Sequence, residues 1–303
     1  MKESLTTIAS TVLTQPPLSF ATTVRKLDRM VIDPACAPNL VASILATDPM
    51  LSALVLSRAN AAAPPGHPQI SQISSAVIYL GMSMVQGLLG EVLPITARHR
   101  DVLASHWARA NATGTMCQIL ARMCLRERLE HISLETLQLC GLVHDIGTLI
   151  AYVRFPEQTA AAAQLVANHN ITFALALRRC LGLGPGGIGV LLARSWCLPP
   201  IFIDVLRHHE RPHRAERHHD IVTLVHIARV MVAACGFTTP EAPYVEPLED
   251  DCLDRLSLRS HDLESAVRDL FEELDELEMY EGALGRVAHD DAALTGGHPI
   301  IPG

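Results

Sequence analysis

The sequence predicts an all-α protein, and three observations carry that prediction. Apolar residues recur at three- and four-residue steps through most of the chain, no convincing series of alternating strands appears, and the composition is rich in Ala and Leu with only 4% aromatic residues. Such a composition suits helices packed closely through small side chains. With 303 residues, 49% of them hydrophobic, the chain can bury one large core or two modest ones.

The elements follow in order. Residues 1–12 read as an amino-terminal tail. In "PPLSFATTVRKLDRM", Phe20, Val24, Leu27 and Met30 share one helical face. In "TDPMLSALVLSRANAA", Asp48 stands at an N-cap position with Pro49 at the first helical position. The turn "PPGHPQISQISS" then leads to an apolar stretch read as a buried helix pair broken near Gly81. Residues 13–95 therefore form an amino-terminal helical lobe. A second lobe, 96–237, holds helices from about Arg100 to Cys124, from Ser133 to Tyr152, and through "PEQTAAAAQLVANHNI". "LGLGPGGIGVLLARSWCLPP" places glycines before a helix that a proline pair closes, without the strand context of a dinucleotide fingerprint. Two further helices, "PPIFIDVLRHHE" and "HHDIVTLVHIARVMVAACG", complete this lobe, the second ending at Gly236. Residues 238–303 comprise an acidic, proline-rich linker, 238–250, then an amphipathic helix and a tail. Leu263, Val267, Leu270, Leu274 and Leu277 recur along that helix, which docks on the body or meets a partner through Leu270 and Leu274.

A formal charge of -8 disfavours an extensive nucleic-acid surface. The eight cysteines form no C-x-x-C pair and read as small buried hydrophobes in a reducing compartment. "SSAVIYLGMSMVQGLLGEVLPI" is the nearest approach to a membrane span, but its three glycines, Gln86, Glu91 and Pro94 favour the broken helix pair. With no signal-peptide core in "MKESLTTIAS", the expectation is a cytoplasmic protein.

The stretch "LQLCGLVHDIGTLI" sets His144 and Asp145 side by side within an apolar helical pattern. Adjacent helical residues point about 100° apart, so the pair completes no metal site alone. His144 is either half of a site or a hydrogen-bonded core histidine, and Asp145 either a ligand or a cap. His106 lies on the preceding helix, where Ala110, Thr113 and Cys117 continue its face and let another helix approach. His209 extends the face of Phe202 and Val205, with His208 beside it. The histidine-rich "RHHERPHRAERHHD" reads first as a solvated loop. Cys140, on the face of His144, reads as packing, and neither a nucleophile elbow nor a P-loop lysine is present.

Taken together, "PPLSFATTVRKL", "ILATDPMLSALVLSRANAA", "ISQISSAVIYLG", "HISLETLQLCGLVHDIGTLI" and "WCLPPIFIDVLRHHERP" resemble, in this order, the HDOD domain, the output-domain relative of HD metal-dependent phosphohydrolases. The resemblance covers roughly residues 13–237 and implies a two-lobed helical fold with an HD-like core. In catalytic HD relatives a first histidine, the HD pair and a later aspartate hold the metal. By position these fall on His106, His144, Asp145 and, in "HIARV", on Arg229, a guanidinium that cannot ligate a cation. The histidine that HDOD proteins often carry before the "GxxL" helix is absent from "LGLGPGGIGVLL", and Thr148 stands where many catalytic relatives have lysine.

A damaged ligand set within an extensive family framework implies a non-catalytic regulatory module of signal transduction with a signalling protein partner and no cofactor. The alternative is a phosphohydrolase of nucleotides or phosphomonoesters, with His106, His144 and Asp145 holding Mn, Fe, Mg or Zn and His208 or His209 assisting. A third reading is non-catalytic sensing of a nucleotide or other small ligand. The oligomeric state is open.

Overall fold

A computed structural model describes residues 4–14, 16–124, 129, 131–242 and 244–275. The helices are α1 (Leu5–Thr14), α2 (Ala21–Ile32), α3 (Pro38–Leu45), α4 (Pro49–Ala62), α5 (Ile73–Leu80), α6 (Met82–Leu89), α7 (Ala97–Met123), α8 (Leu134–Val143), α9 (Ile146–Arg154), α10 (Pro156–His169), α11 (Phe173–Leu181), α12 (Pro185–Ser195), α13 (Pro200–His208), α14 (His219–Ala234), α15 (Cys252–Leu256) and α16 (260–275). Among the described residues the only paired strands are the two-residue β1 (Leu18–Ser19) and β2 (Leu93–Pro94), which run parallel with Leu18 opposite Leu93. The protein is all-α.

Local signals place several helix starts. The Asp48 side chain accepts from Met50 N and Leu51 N at 2.9 Å each, and Pro49 follows where its missing N–H costs nothing. Ser133 caps α8 by accepting from Thr136 N at 3.1 Å. Gly81, at φ 76°, separates α5 from α6 as the glycine there predicts, yet Ile78 and Met84 are exposed, so that pair is only partly buried. Residues 5–12, read as part of a tail, lie in α1, whose Ile8 and Val12 enter the core beside α12.

One contiguous apolar core runs from Ile8 in α1 to Leu270 in α16, and residues on both sides of position 95 share it. Glu135 on α8 accepts from Ser74 N at 2.7 Å and Ser74 Oγ at 2.6 Å, and Asn111 on α7 donates to Thr47 O at 2.8 Å. The two halves are thereby joined by polar as well as apolar contacts. In α16, Leu270 and Ala266 are fully buried and Leu274 packs against the core, so Leu270 and Leu274, the partner-contact candidates, face the protein's own body. Leu277 lies outside the described residues.

The single helix expected from Ser133 to Tyr152 is interrupted. Asp145 leaves the helical basin at φ -117°, ψ 23°, which sets α8 and α9 on either side of the His-Asp pair. By length and composition Leu134–Arg154 matches a membrane span, but 78% of it is buried within the fold, and that is the mark of a core helix. The cysteine expectation needs one correction: Cys117, Cys124, Cys140 and Cys252 are buried, whereas Cys197 is exposed at the turn after α12. All eight are free thiols, and burial pushes the Cys117 and Cys140 thiols well up, which makes them inert.

Candidate functional site

Two close helix approaches build the cleft. A Cβ on Gly141 of α8 would stand 2.7 Å from Thr113 O and 2.8 Å from Cys117 Sγ on α7, a separation that only glycine permits. This crossing brings His106 and Arg109, one turn apart on α7, toward the end of α8. Behind the pair, a Cβ on Gly147 would fall 1.9 Å from Pro185 O at the start of α12. The glycine-rich stretch therefore serves helix contact at the back of the cleft and contributes no nitrogen ligand.

His106, His144 and Asp145 line one small cavity together with Arg109. A larger one shares Arg109, His144 and Asp145 with it and is lined also by Thr148, His209, Glu210, Arg229, Glu241 and Glu246. His209 joins the pair through its ring, perpendicular to that of His144 with centroids 5.1 Å apart. His208, the next candidate, is only half-buried and lines neither cavity. Asp220, at the start of α14, lines neither cavity and pairs with Arg255 at 2.9 Å.

Two of the histidines in the cleft, His144 and His209, are held neutral. The His144 Nδ1 lies 2.6 Å from Gly141 O, which fixes the proton on Nδ1, and burial together with the Arg109 charge pushes its pKa down to about 3. His209 Nδ1 likewise donates to Val205 O at 3.0 Å, and burial, His144 and Arg229 lower its pKa well below the ordinary value. Burial pushes the Asp145 carboxyl up, against the pull of His106 and Arg109; the Thr148 hydroxyl donates a short hydrogen bond to it.

Covering these groups is the stretch expected to be a linker. Glu241 is buried, with Oε1 at 3.3 Å from His106 Nε2; it accepts from Tyr152 at 2.7 Å and from Thr239 Oγ1 at 2.8 Å. Burial alone would raise its pKa, but His106 and the two hydroxyls outweigh burial and hold it at about 2. Glu246 Oε2 lies 2.8 Å from Arg229 Nη1, and that guanidinium outweighs desolvation and pulls the half-buried carboxyl below its usual range. Arg229 does face the cleft: it is buried, and burial, which would lower its pKa, is overcome by Glu246 and Glu210. Farther along, the backbone N–H of Glu249 donates to His226 Nε2 at 3.2 Å.

A divalent metal, which the family resemblance implies at His106, His144 and Asp145, does not fit this arrangement. Arg109 and Arg229 both line the cavity of His144 and Asp145, and their charges oppose a cation. His106 Nε2 is turned to Glu241. Among the described residues, no group of three or more His, Cys, Asp or Glu side chains is placed to hold a metal ion.

The sequence did not single out Arg109, Glu241, Glu246, Glu210 or Tyr152. Arg109 carried a usable signal, since it lies three residues after His106 on the same helical face. Glu210 stands directly after His209, whereas Glu241 and Glu246 carried no signal, because an acidic, proline-rich stretch also describes a solvated linker.

Comparison with known proteins agrees with the helical architecture. Residues 18–212 match the HDOD domain family. An uncharacterized protein of Treponema pallidum (strain Nichols) is 26% identical over 225 residues, 72% of this chain; the chain spans 42% of that relative's length. Among solved structures, the MmoQ response regulator of Methylococcus capsulatus superposes with a TM-score of 0.63 at 17% identity, over 83% of this chain and 97% of that one. A virulence factor of Campylobacter jejuni gives a TM-score of 0.57 at 20% identity, over 75% and 81% of the two chains. At these identities the likeness is one of fold.

Proposed function

The chain belongs to the HDOD domain family, and from that premise we propose that it is a non-catalytic regulatory module of signal transduction that works through protein contacts. The observation that carries this reading is the pair of guanidinium groups, Arg109 and Arg229, in the cleft beside His144 and Asp145. Metal-dependent phosphohydrolysis needs a cation to lower the pKa of water and to draw charge from phosphorus. Two fixed positive charges oppose that cation, and Glu241 and Glu246 already engage His106 and Arg229. What remains is a preorganised polar cleft on a rigid helical scaffold, suited to recognition. The fold shared with a response regulator supports the same direction.

The test is metal content by elemental mass spectrometry on untagged protein incubated with Mn²⁺, Fe²⁺, Mg²⁺ or Zn²⁺ and desalted, followed by a phosphate-release screen over nucleotides and phosphomonoesters. The expected outcome is no stoichiometric retention and no turnover. Retained metal that is lost in His144→Ala, with phosphate release lost alongside it, would overturn the proposal in favour of a phosphohydrolase.

A further inference from the structure

The segment between Ala234 and Cys252 exceeds the roughly 12–15 residues that loops without secondary structure of their own usually reach, and loops of that length tend to be lids or binding segments. It carries Glu241, Glu246, Glu249, Asp250 and Asp251 and no Lys or Arg. Its most buried side chains are polar, Thr239 and Glu241, while Val245 is about half exposed. Charge and hydrogen bonds hold the strap at three separated places, Glu241 at His106, Glu246 at Arg229, and Glu249 at His213 through its carboxylate and at His226 through its N–H, while Phe237, Tyr244 and Leu248 pack partly buried against the core. Arg109 Nη1 adds a long contact of 3.4 Å to Thr239 Oγ1.

The seat beneath is not fully satisfied by this occupant. Arg109 Nε, His106 Nε2 and Arg229 Nη1 are buried without a hydrogen bond of good geometry, although the latter two have a carboxylate at ion-pair distance. Buried donors left in this state carry a desolvation cost that a better-placed acceptor would remove. When Glu241 and Glu246 leave, the cleft becomes two charges more positive; Arg109 and Arg229 are then faced by Asp145 and Glu210, whose carboxyls burial pushes toward the neutral form.

We propose that this cleft is a receptor for an acidic peptide segment of a partner protein, and that the chain's own strap, Thr239 to Glu249, is a resident occupant that the partner displaces. The inference rests on the regulatory reading above and names the chemistry of its partner. An extended chain with carboxylates spaced to reach His106, Arg229 and His213, and a backbone N–H for His226, matches these anchoring places at once. The space left under the strap is about 30 Å3, where one water needs about 10–15 Å3, so a nucleotide has no room while the strap is seated. Tethering gives the strap a high effective concentration, so a competitor succeeds when the strap's own carboxylates are weakened.

The experiment uses the full chain and a fluorescein-labelled synthetic peptide of residues 238–250, TTPEAPYVEPLED, read by fluorescence anisotropy at low salt. The Glu241→Gln/Glu246→Gln double variant is expected to bind this peptide saturably and at least tenfold more tightly than the wild type. Adding Arg229→Gln should abolish the gain, as should a peptide with glutamine at the positions of Glu241 and Glu246. Folded double variant that fails to bind, or that binds both peptides equally, would overturn the proposal, as would protection of the cleft by inorganic phosphate but not by peptide. Should the double variant fail to fold, hydrogen exchange on the wild type decides: faster exchange of strap amides under excess peptide supports displacement, and unchanged exchange refutes it. Failure in these assays leaves the regulatory reading standing, which metal retention with turnover would overturn.

Discussion

Asp48 shows how much one residue contributes to this fold. Its carboxylate accepts from two backbone N–H groups at the start of α4 and from Ser19 in β1, so a cap and a tertiary link share one side chain. Burial pushes its pKa up from 3.8 to about 6, with the hydrogen bonds pulling the other way. A folded pKa above the unfolded one means that the contribution is fully present below about pH 4 and is lost as pH rises through about 6. The difference in unfolding free energy between wild type and Asp48→Asn, measured by urea denaturation, should therefore move against the wild type by about 3 kcal/mol between those limits. A difference independent of pH would show that Asp48 keeps its ordinary pKa. Glu241 has the opposite sign: held at about 2, it contributes above its ordinary value of 4.5 and loses that contribution as pH falls toward 2. The Glu241 anchor is thus complete above about pH 4.5 and loosens as pH falls toward 2.

At the scale of elements, the cleft depends on how closely helices approach. A Cβ on Gly147 would meet backbone at 1.9 Å, so α9 and α12 must separate to admit it. Gly147→Ala should lower stability by about 3 kcal/mol and shift the melting temperature accordingly. Gly87→Ala is the control: it lies within α6 with nothing near its Cβ, and should be neutral or stabilising by up to about 1 kcal/mol. Equal effects at both positions would sink the close-approach argument. These contacts were partly legible in the sequence, since the small residues after His106 announced a near neighbour. The break between α8 and α9 was legible only as one of two readings of Asp145, a ligand or a cap. The apolar helical pattern continues through Leu149 and does not decide between them.

Across the whole molecule, the carboxy-terminal helix closes the chain on its own core. Leu270 is fully buried while its neighbour Phe271 is 45% exposed. Leu270→Ala should cost about 2–5 kcal/mol in urea unfolding, and Phe271→Ala within about 0.5 kcal/mol. A Leu270 variant of unchanged stability would return that side chain to the partner-contact role. This closure also anchors the far end of the strap, since α15 and α16 hold the chain directly after Asp251. Periodicity identified the amphipathic helix, but a period of 3.6 does not name the surface that covers its apolar face.

By itself the sequence determined the all-α class, the starts of α4 and α8, and the resemblance that set His106, His144, Asp145 and Arg229 in correspondence. These rest on local capping chemistry, short-range periodicity and ordered motifs, all of which are written in neighbouring residues. Only the tertiary structure decided that Arg109 joins Arg229 beside the histidines, that His209 enters the cleft while His208 does not, and that Glu241 and Glu246 return from far along the chain to face them. The physical reason is that a buried charge is stabilised by whatever partner the fold brings within a few ångströms, and sequence distance places no limit on which partner that is.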